Sequence, residues 1–78
     1  MERSEIESRL ERILQSYDKS LSYGKDKTIE ELEFDSLDGY SFFIEVETEF
    51  GCSCETLNLP KTSLNSLIDY LQKYNSLP

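Results

Sequence analysis

The chain has no histidine and no tryptophan, and among its 78 residues only two cysteines, two prolines and three glycines. Without histidine, with no nucleophile set beside a base and no glycine-rich loop to cradle phosphate, an enzyme is the least favoured class. Cys52 and Cys54 stand one residue apart. A disulfide ring that tight strains S–S geometry, so they do not mark a stapled secreted scaffold, and a reducing, cytoplasmic setting is expected. Two soft ligands alone do not complete a zinc site. The acids do not make a calcium loop either, because Asp35, Asp38 and Gly39 lack the alternate-residue ligand spacing. Long apolar runs are missing, and Met1-Glu2-Arg3-Ser4-Glu5 opens with charge, so neither a spanning helix nor a leader segment is expected. Bases are scarce, 8 against 16 acids. The resulting net charge of −8 has the wrong sign for gripping nucleic acid or an anionic membrane.

What is present fits one small domain spanning residues 1–78, since a chain this short closes a single core. Its charge is divided. Between Lys27 and Lys61 stand Glu30, Glu31, Glu33, Asp35, Asp38, Glu45, Glu47, Glu49 and Glu55 with no base, so this block holds −9 and the rest of the chain +1. A segment of one sign destabilises itself by repulsion, and it suits a surface onto which basic partners steer. A solvated helix face is the plain alternative.

Hydrophobic spacing sets the elements. Ile6, Leu10, Ile13, Leu14 and Tyr17 form one stripe of helical period, a first helix. Residues 18–27 have no period and read as a long first loop. Thr28-Ile29-Glu30-Glu31 has capping-box spacing, enough for one short turn before Leu32 and Phe34 point inward. From Leu37, the series Leu37, Tyr40, Phe43, Ile44 and the series Phe42, Val46, Phe50 cover more than half of a helical circumference and end at Gly51. This second helix is expected to be central. Cys52 and Cys54 alternate so that both sulfurs face the core. A short third helix is expected between Thr56 and Pro60, limited by the proline. Leu64, Leu67, Ile68, Leu71 and Tyr74 make the stripe of a last helix, capped by Thr62 or Ser63. The expectation is all-α, a small four-helix bundle of three main helices and one short one, with up-and-down order.

Asp35-Ser36-Leu37-Asp38 lies where irregular chain becomes the second helix, which sets the Ser36 hydroxyl at a positive helix end. Backbone N–H groups of a first turn bond anions, so a phosphodiester is well sited there once a partner covers the flanking aspartates. Equally, Asp35 or Ser36 serves as an ordinary helix cap.

In this order of parts the chain resembles the acyl carrier protein family. The resemblance runs through the first helix and long loop, Glu30-Glu31-Leu32, Asp35-Ser36-Leu37-Asp38, the acidic helix through Glu47-Thr48-Glu49-Phe50-Gly51, and Ser66-Leu67-Ile68-Asp69-Tyr70-Leu71. It implies that Ser36 carries a covalent 4′-phosphopantetheine arm. It implies that Asp35, Leu37 and Asp38 help the phosphopantetheinyl transferase dock, and that Glu45, Glu47 and Glu49 face acyl-transferring or condensing enzymes with basic patches. Phe42, Val46, Phe50 and Leu67 would line an acyl cavity between helices. The body, a monomer, would do no chemistry. It would hold acyl intermediates as thioesters for fatty-acid, lipid or polyketide-type synthesis. An aminoacyl or peptidyl cargo is the alternative load, and an unmodified acidic adaptor the alternative of another class.

Departures from the family pattern imply a specialised member. Glu33-Phe34 replaces a glycine and a small residue ahead of the motif. Gly39 costs about 1 kcal/mol against alanine in a first helical turn. Ser41 takes a place often acidic, and Tyr40, Phe42 and Phe43 put aromatic bulk where aliphatics are usual, which narrows or reshapes the acyl cavity. Cys52 and Cys54 replace aliphatics after the helix-ending glycine.

Overall fold

A computed structural model describes residues 1–75. They form three α-helices, α1 (Arg3–Gln15), α2 (Ser36–Phe50) and α3 (Leu64–Tyr74), joined by single 3₁₀ turns at Leu21–Tyr23, Glu30–Leu32 and Leu59–Lys61. No strand occurs among the described residues; one isolated bridge pairs Thr28 with Ser63.

Each helix buries the stripe that its sequence sets out. On α1 these are Ile6, Leu10, Ile13 and Leu14; on α2 Phe42, Val46 and Phe50; on α3 Leu64, Leu67, Ile68 and Leu71. Helix α1 packs against both α2 and α3, which touch each other little, so α1 and not α2 is the central element. The gap between α2 and α3 is sealed by the segment after Gly51, whose Cys54 and Leu59 are buried while Cys52 and Leu57 pack on the core.

The short helix expected between Thr56 and Pro60 is absent. Instead one 3₁₀ turn forms later, at Leu59–Lys61, with Pro60 in its first turn. Proline lacks an N–H and suits the opening of a turn, and only two residues separate it from the Ser63 cap of α3. The architecture is therefore a three-helix domain with a 3₁₀ strap. Tyr74 also departs from the expected stripe, being exposed and set beside Tyr70 with ring centroids 4.7 Å apart.

The long loop is held at two places. Against α1, Glu11 accepts from the Leu21 N–H at 2.7 Å and from the Ser20 hydroxyl at 2.6 Å, and Lys25 pairs with Glu7. At the start of α3 the loop occupies donors that a helix leaves orphaned: Leu64 N–H donates to the Lys27 carbonyl at 3.0 Å and Asn65 N–H to that of Lys25 at 2.9 Å. Ser63, one of the two expected caps, accepts from Ser66 N–H at 3.1 Å. Ile29 N–H then donates to Thr62 at 3.1 Å, which brings the Glu30–Leu32 turn beside the Leu59–Lys61 turn.

The capping box between Thr28 and Glu31 is reciprocal: Thr28 N–H donates to Glu31 Oε1 at 3.0 Å and Glu31 N–H to Thr28 Oγ1 at 3.1 Å. Only one turn follows, because Glu33 enters the left-handed region at φ 60° and swings the chain toward α2. A non-glycine residue there is strained by about 1–2 kcal/mol. Glu33→Gly relieves that strain and loosens the unfolded chain, so a net stabilisation of about 0.5–1 kcal/mol is expected in urea unfolding. Loss of stability would show that the Glu33 side chain contributes more than its backbone costs.

Burial opposes ionisation of Glu11, but its bonds from Ser20, Leu21 and Gln15 outweigh that and hold its carboxyl below the usual value of 4.5. Hydrogen bonds from Thr28 do the same for Glu31. A carboxylate lowered on folding stabilises the fold fully above its unfolded pKa, and that stabilisation disappears as pH falls through the folded value. Unfolding midpoints should thus drop steadily below about pH 4.5. In Glu11→Gln the acid limb should be shallower, and an unchanged limb would remove Glu11 from the account.

Candidate functional site

Helix α2 begins where Asp35, in extended conformation, accepts from the Asp38 N–H through its side chain at 2.8 Å. Asp35 is therefore the cap. Ser36 is the first helical residue and is exposed, its hydroxyl not spent on closing the helix. Of the two capping choices open to the sequence, the one taken leaves the serine presented to solvent at the positive end of a 15-residue helix.

Around Ser36 the surface is apolar as well as acidic. Leu37 is 79% exposed, Tyr40 68% and Ile44 47%, making a ridge along the outer side of α2. Asp38 and Glu45 are exposed beside it. The helix carries two apolar series, and the core takes only the one built on Phe42, Val46 and Phe50.

Phe34 precedes the motif but does not crowd Ser36. Its ring stacks on Phe42 with centroids 5.0 Å apart, meets the edge of Tyr17 at 5.6 Å, and has the Lys19 ammonium 5.6 Å from its centre. This aromatic group fills the space between α1 and the start of α2. Phe42, Val46, Phe50 and Leu67, expected around an acyl cavity, are each at most 1% exposed and belong to the closed core.

Open space lies elsewhere. A cleft of about 350 Å³ runs from Ser36 and Gly39 past Phe34 and Ile29 to Tyr40, Phe43, Leu59 and Pro60. A second, of about 410 Å³, shares those last four residues and extends to Glu47, Cys54 and Glu55. Together they form one groove between α2 and the segment of residues 54–60. These wall residues were missed as a site. The signal was the second apolar series on α2, more than a domain this small covers.

The acids expected to meet partners divide into two groups. Glu45 accepts from the Tyr17 hydroxyl at 3.0 Å. Burial first, then that bond, raises the Tyr17 pKa above its ordinary value. Glu47 accepts from the Cys54 N–H at 2.7 Å. Glu49 accepts from Arg9 at 3.0 Å, with Arg12 3.6 Å from the same oxygen. These three are tied into the fold. Asp38, Glu30 and Glu33 form the freer acidic rim around Ser36.

Burial pushes the Cys54 thiol up to about 12, with Cys52 and Glu47 adding to it, and burial raises Cys52 as well. Both are free thiols, and neither is a ready thiolate at neutral pH. Among the described residues no group of His, Cys, Asp and Glu could hold a metal ion, and no helix is long and apolar enough to cross a membrane.

The division among acids has a measurable consequence. Glu49→Gln gives up attraction to two arginines and should destabilise the fold by about 0.5–1 kcal/mol, whereas Asp38→Asn should stay within about 0.5 kcal/mol of the parent. Urea unfolding at low salt separates the two, and equal effects would refute the distinction.

No protein-family model matches the chain, and comparison with curated proteins and with solved structures gives no match.

Proposed function

We propose that the chain is a carrier protein: a 4′-phosphopantetheine arm esterified to Ser36 holds acyl groups as thioesters and presents them to successive enzymes. The observation that supports this most is the exposed Ser36 at the first position of α2 with the capping duty given to Asp35. The family resemblance of the surrounding sequence supplies the identity of the arm.

The local chemistry fits such a group. A first helical turn offers N–H groups that intrahelical bonding leaves open, and the positive end of the helix favours a phosphodiester. Asp35 has its carboxylate turned to the Asp38 N–H. The arm would be installed by a transferase: the Ser36 oxygen attacks the coenzyme A pyrophosphate, a phosphodiester forms, and adenosine 3′,5′-bisphosphate leaves as the serine proton passes to a base on that enzyme. The bound arm supplies the thiol on which acyl groups ride. The cysteines of the body are not needed for it, in keeping with their raised pKa values.

The ridge of Leu37, Tyr40 and Ile44, with the free acids Glu30, Glu33 and Asp38 near its start, is suited to partners carrying an apolar contact within a basic surround. Exposed charge pairs favour rapid encounter and modest affinity, the combination a shuttle requires. The free rim is smaller than the sequence led us to expect, and it is concentrated near Ser36.

Incubation with coenzyme A and a broad-specificity phosphopantetheinyl transferase should add one arm by intact mass, and Ser36→Ala should abolish the gain. No gain with the parent, or a gain that survives Ser36→Ala, refutes the proposal. Leu37→Ala should lower kcat/KM of loading about tenfold while leaving stability near that of the parent, because its side chain is exposed.

A further inference from the structure

Two free thiols follow the far end of α2 from Ser36, and carrying cargo on the arm leaves them without a task. Resting on the carrier reading, we propose that under oxidising conditions Cys52 captures the thiol of its own empty arm as an intramolecular disulfide. The arm is locked when it holds no cargo and spared when it holds one.

The thiols lie at arm's length. Although Cys54 follows the helix end, its N–H donates to Glu47 at 2.7 Å, which folds the segment back along α2. Glu47 lies eleven residues beyond Ser36 on that helix, about 16 Å along the axis. An extended phosphopantetheine arm covers a similar span. The Cys52 and Cys54 thiols stand side by side, so an arm that reaches one reaches both. Cys54 is only 3% exposed, whereas Cys52 is half-buried, so an incoming sulfur meets Cys52.

The oxidant is a small disulfide of the glutathione class. The arm thiolate attacks one of its sulfurs, an arm–glutathione disulfide forms, and one glutathione thiolate leaves. Cys52, once deprotonated, then attacks the arm sulfur, and the second glutathione thiolate leaves as the arm–Cys52 bond forms. Two thiols are oxidised, one disulfide is reduced, and the two protons end on the two glutathione thiols. The arm makes the first attack, because its sulfur is in solvent while burial raises the Cys52 thiol. A thioester has no free thiol, so a loaded arm cannot begin the sequence.

Three other disulfides compete. A Cys52–Cys54 bond closes a tight, strained ring, while the ring closed by the arm is long and flexible. Two arms joining in a dimer is a bimolecular event. A short flexible tether holds its ends at about millimolar effective concentration, so at about 10 µM protein the internal bond is favoured about a hundredfold. The arm–glutathione disulfide recedes when free glutathione is below millimolar, by the same comparison.

The test starts from protein carrying the empty arm, incubated with glutathione disulfide, quenched with iodoacetamide and read by intact mass and peptide mapping. The parent should become a monomer about 2 Da lighter, with its Ser36 and Cys52 peptides linked through the arm. Protein loaded with hexanoyl should form no such link. Cys52→Ser should lose the link and carry glutathione on its arm, and Cys54→Ala should keep the link. A Cys52–Cys54 ring beside an alkylated arm, a glutathione-capped arm in the parent, or a link that survives Cys52→Ser would overturn the lock.

A protein that accepts no arm at Ser36 overturns the carrier reading instead. The reach to Cys52 is then read by itself, with a tether of pantetheine length, bearing a pyridyl disulfide, fixed by a maleimide to the thiol of a Ser36→Cys protein. Release of pyridinethione with a link to Cys52 supports the geometry, and no release, or a link to Cys54, refutes it.

Discussion

Helix α2 holds more apolar side chains than the rest of the domain can cover, and the layout of the surface follows from that surplus. Two apolar series run along it. One can be buried against α1, and it is the aromatic one: Phe42 and Phe50 reach far enough to fill the middle of the domain with Val46 between them. Phe34 and Tyr17 complete the packing around Phe42. Once that side is committed, Leu37, Tyr40 and Ile44 are turned outward by helical geometry alone. Phe43 falls between the two sides, half-covered by the strap that contains Leu59 and Pro60. An inner packed face, an open groove and an outer ridge thus come from one helix, and Ser36 stands at the end they share.

Charge is arranged around the same helix. Two acids of α1 find bases nearby: Glu7 with Arg3 and with Lys25 from the loop, and Glu5 with Arg9. Helix α2 has no base of its own, so it borrows from α1 along the side that faces it. Arg9 and Arg12 converge on Glu49. The borrowing works only for the later turns of α2. Among the described residues the ion pairs of α2 all fall on Glu49, and the loop cation Lys19 rests on the Phe34 ring. Negative potential therefore remains where α2 begins.

Local features were the legible ones. The Thr28 and Glu31 box, the Gly51 stop at φ 63° and the buried stripes of α1 and α3 each depend on residues within a turn of one another, so sequence spacing states them directly. The start of α2 was legible in place but not in its cap. Asp35 and Ser36 are both good cap residues, and the left-handed backbone at Glu33, which sets the angle of entry, has no signature in a glutamate. The missing fourth helix has a similar cause. Residues 56–60 are only partly apolar, and their position is fixed by what they must seal between α2 and α3, so tertiary demand outweighed local propensity.

The site was least legible where it depended on which of two faces wins. Sequence gives α2 two apolar series of comparable strength, and nothing in either says which is inner. Phe42, Val46 and Phe50 are indeed inner, but inner residues of this volume leave little open space between the helices: three aromatic rings, those of Tyr17, Phe34 and Phe42, lie in contact reach of one another. The same reasoning explains Glu45, Glu47 and Glu49. Their spacing on the helix was plain, but the Tyr17 and Arg9 that occupy Glu45 and Glu49 come from distant parts of the chain, and the Cys54 N–H on Glu47 from the segment past the helix end. An acidic residue is available to a partner only to the extent that its own fold has not already engaged it. In this domain that condition thins the acidic face along α2 and leaves its sharpest concentration beside the one exposed serine that opens the helix.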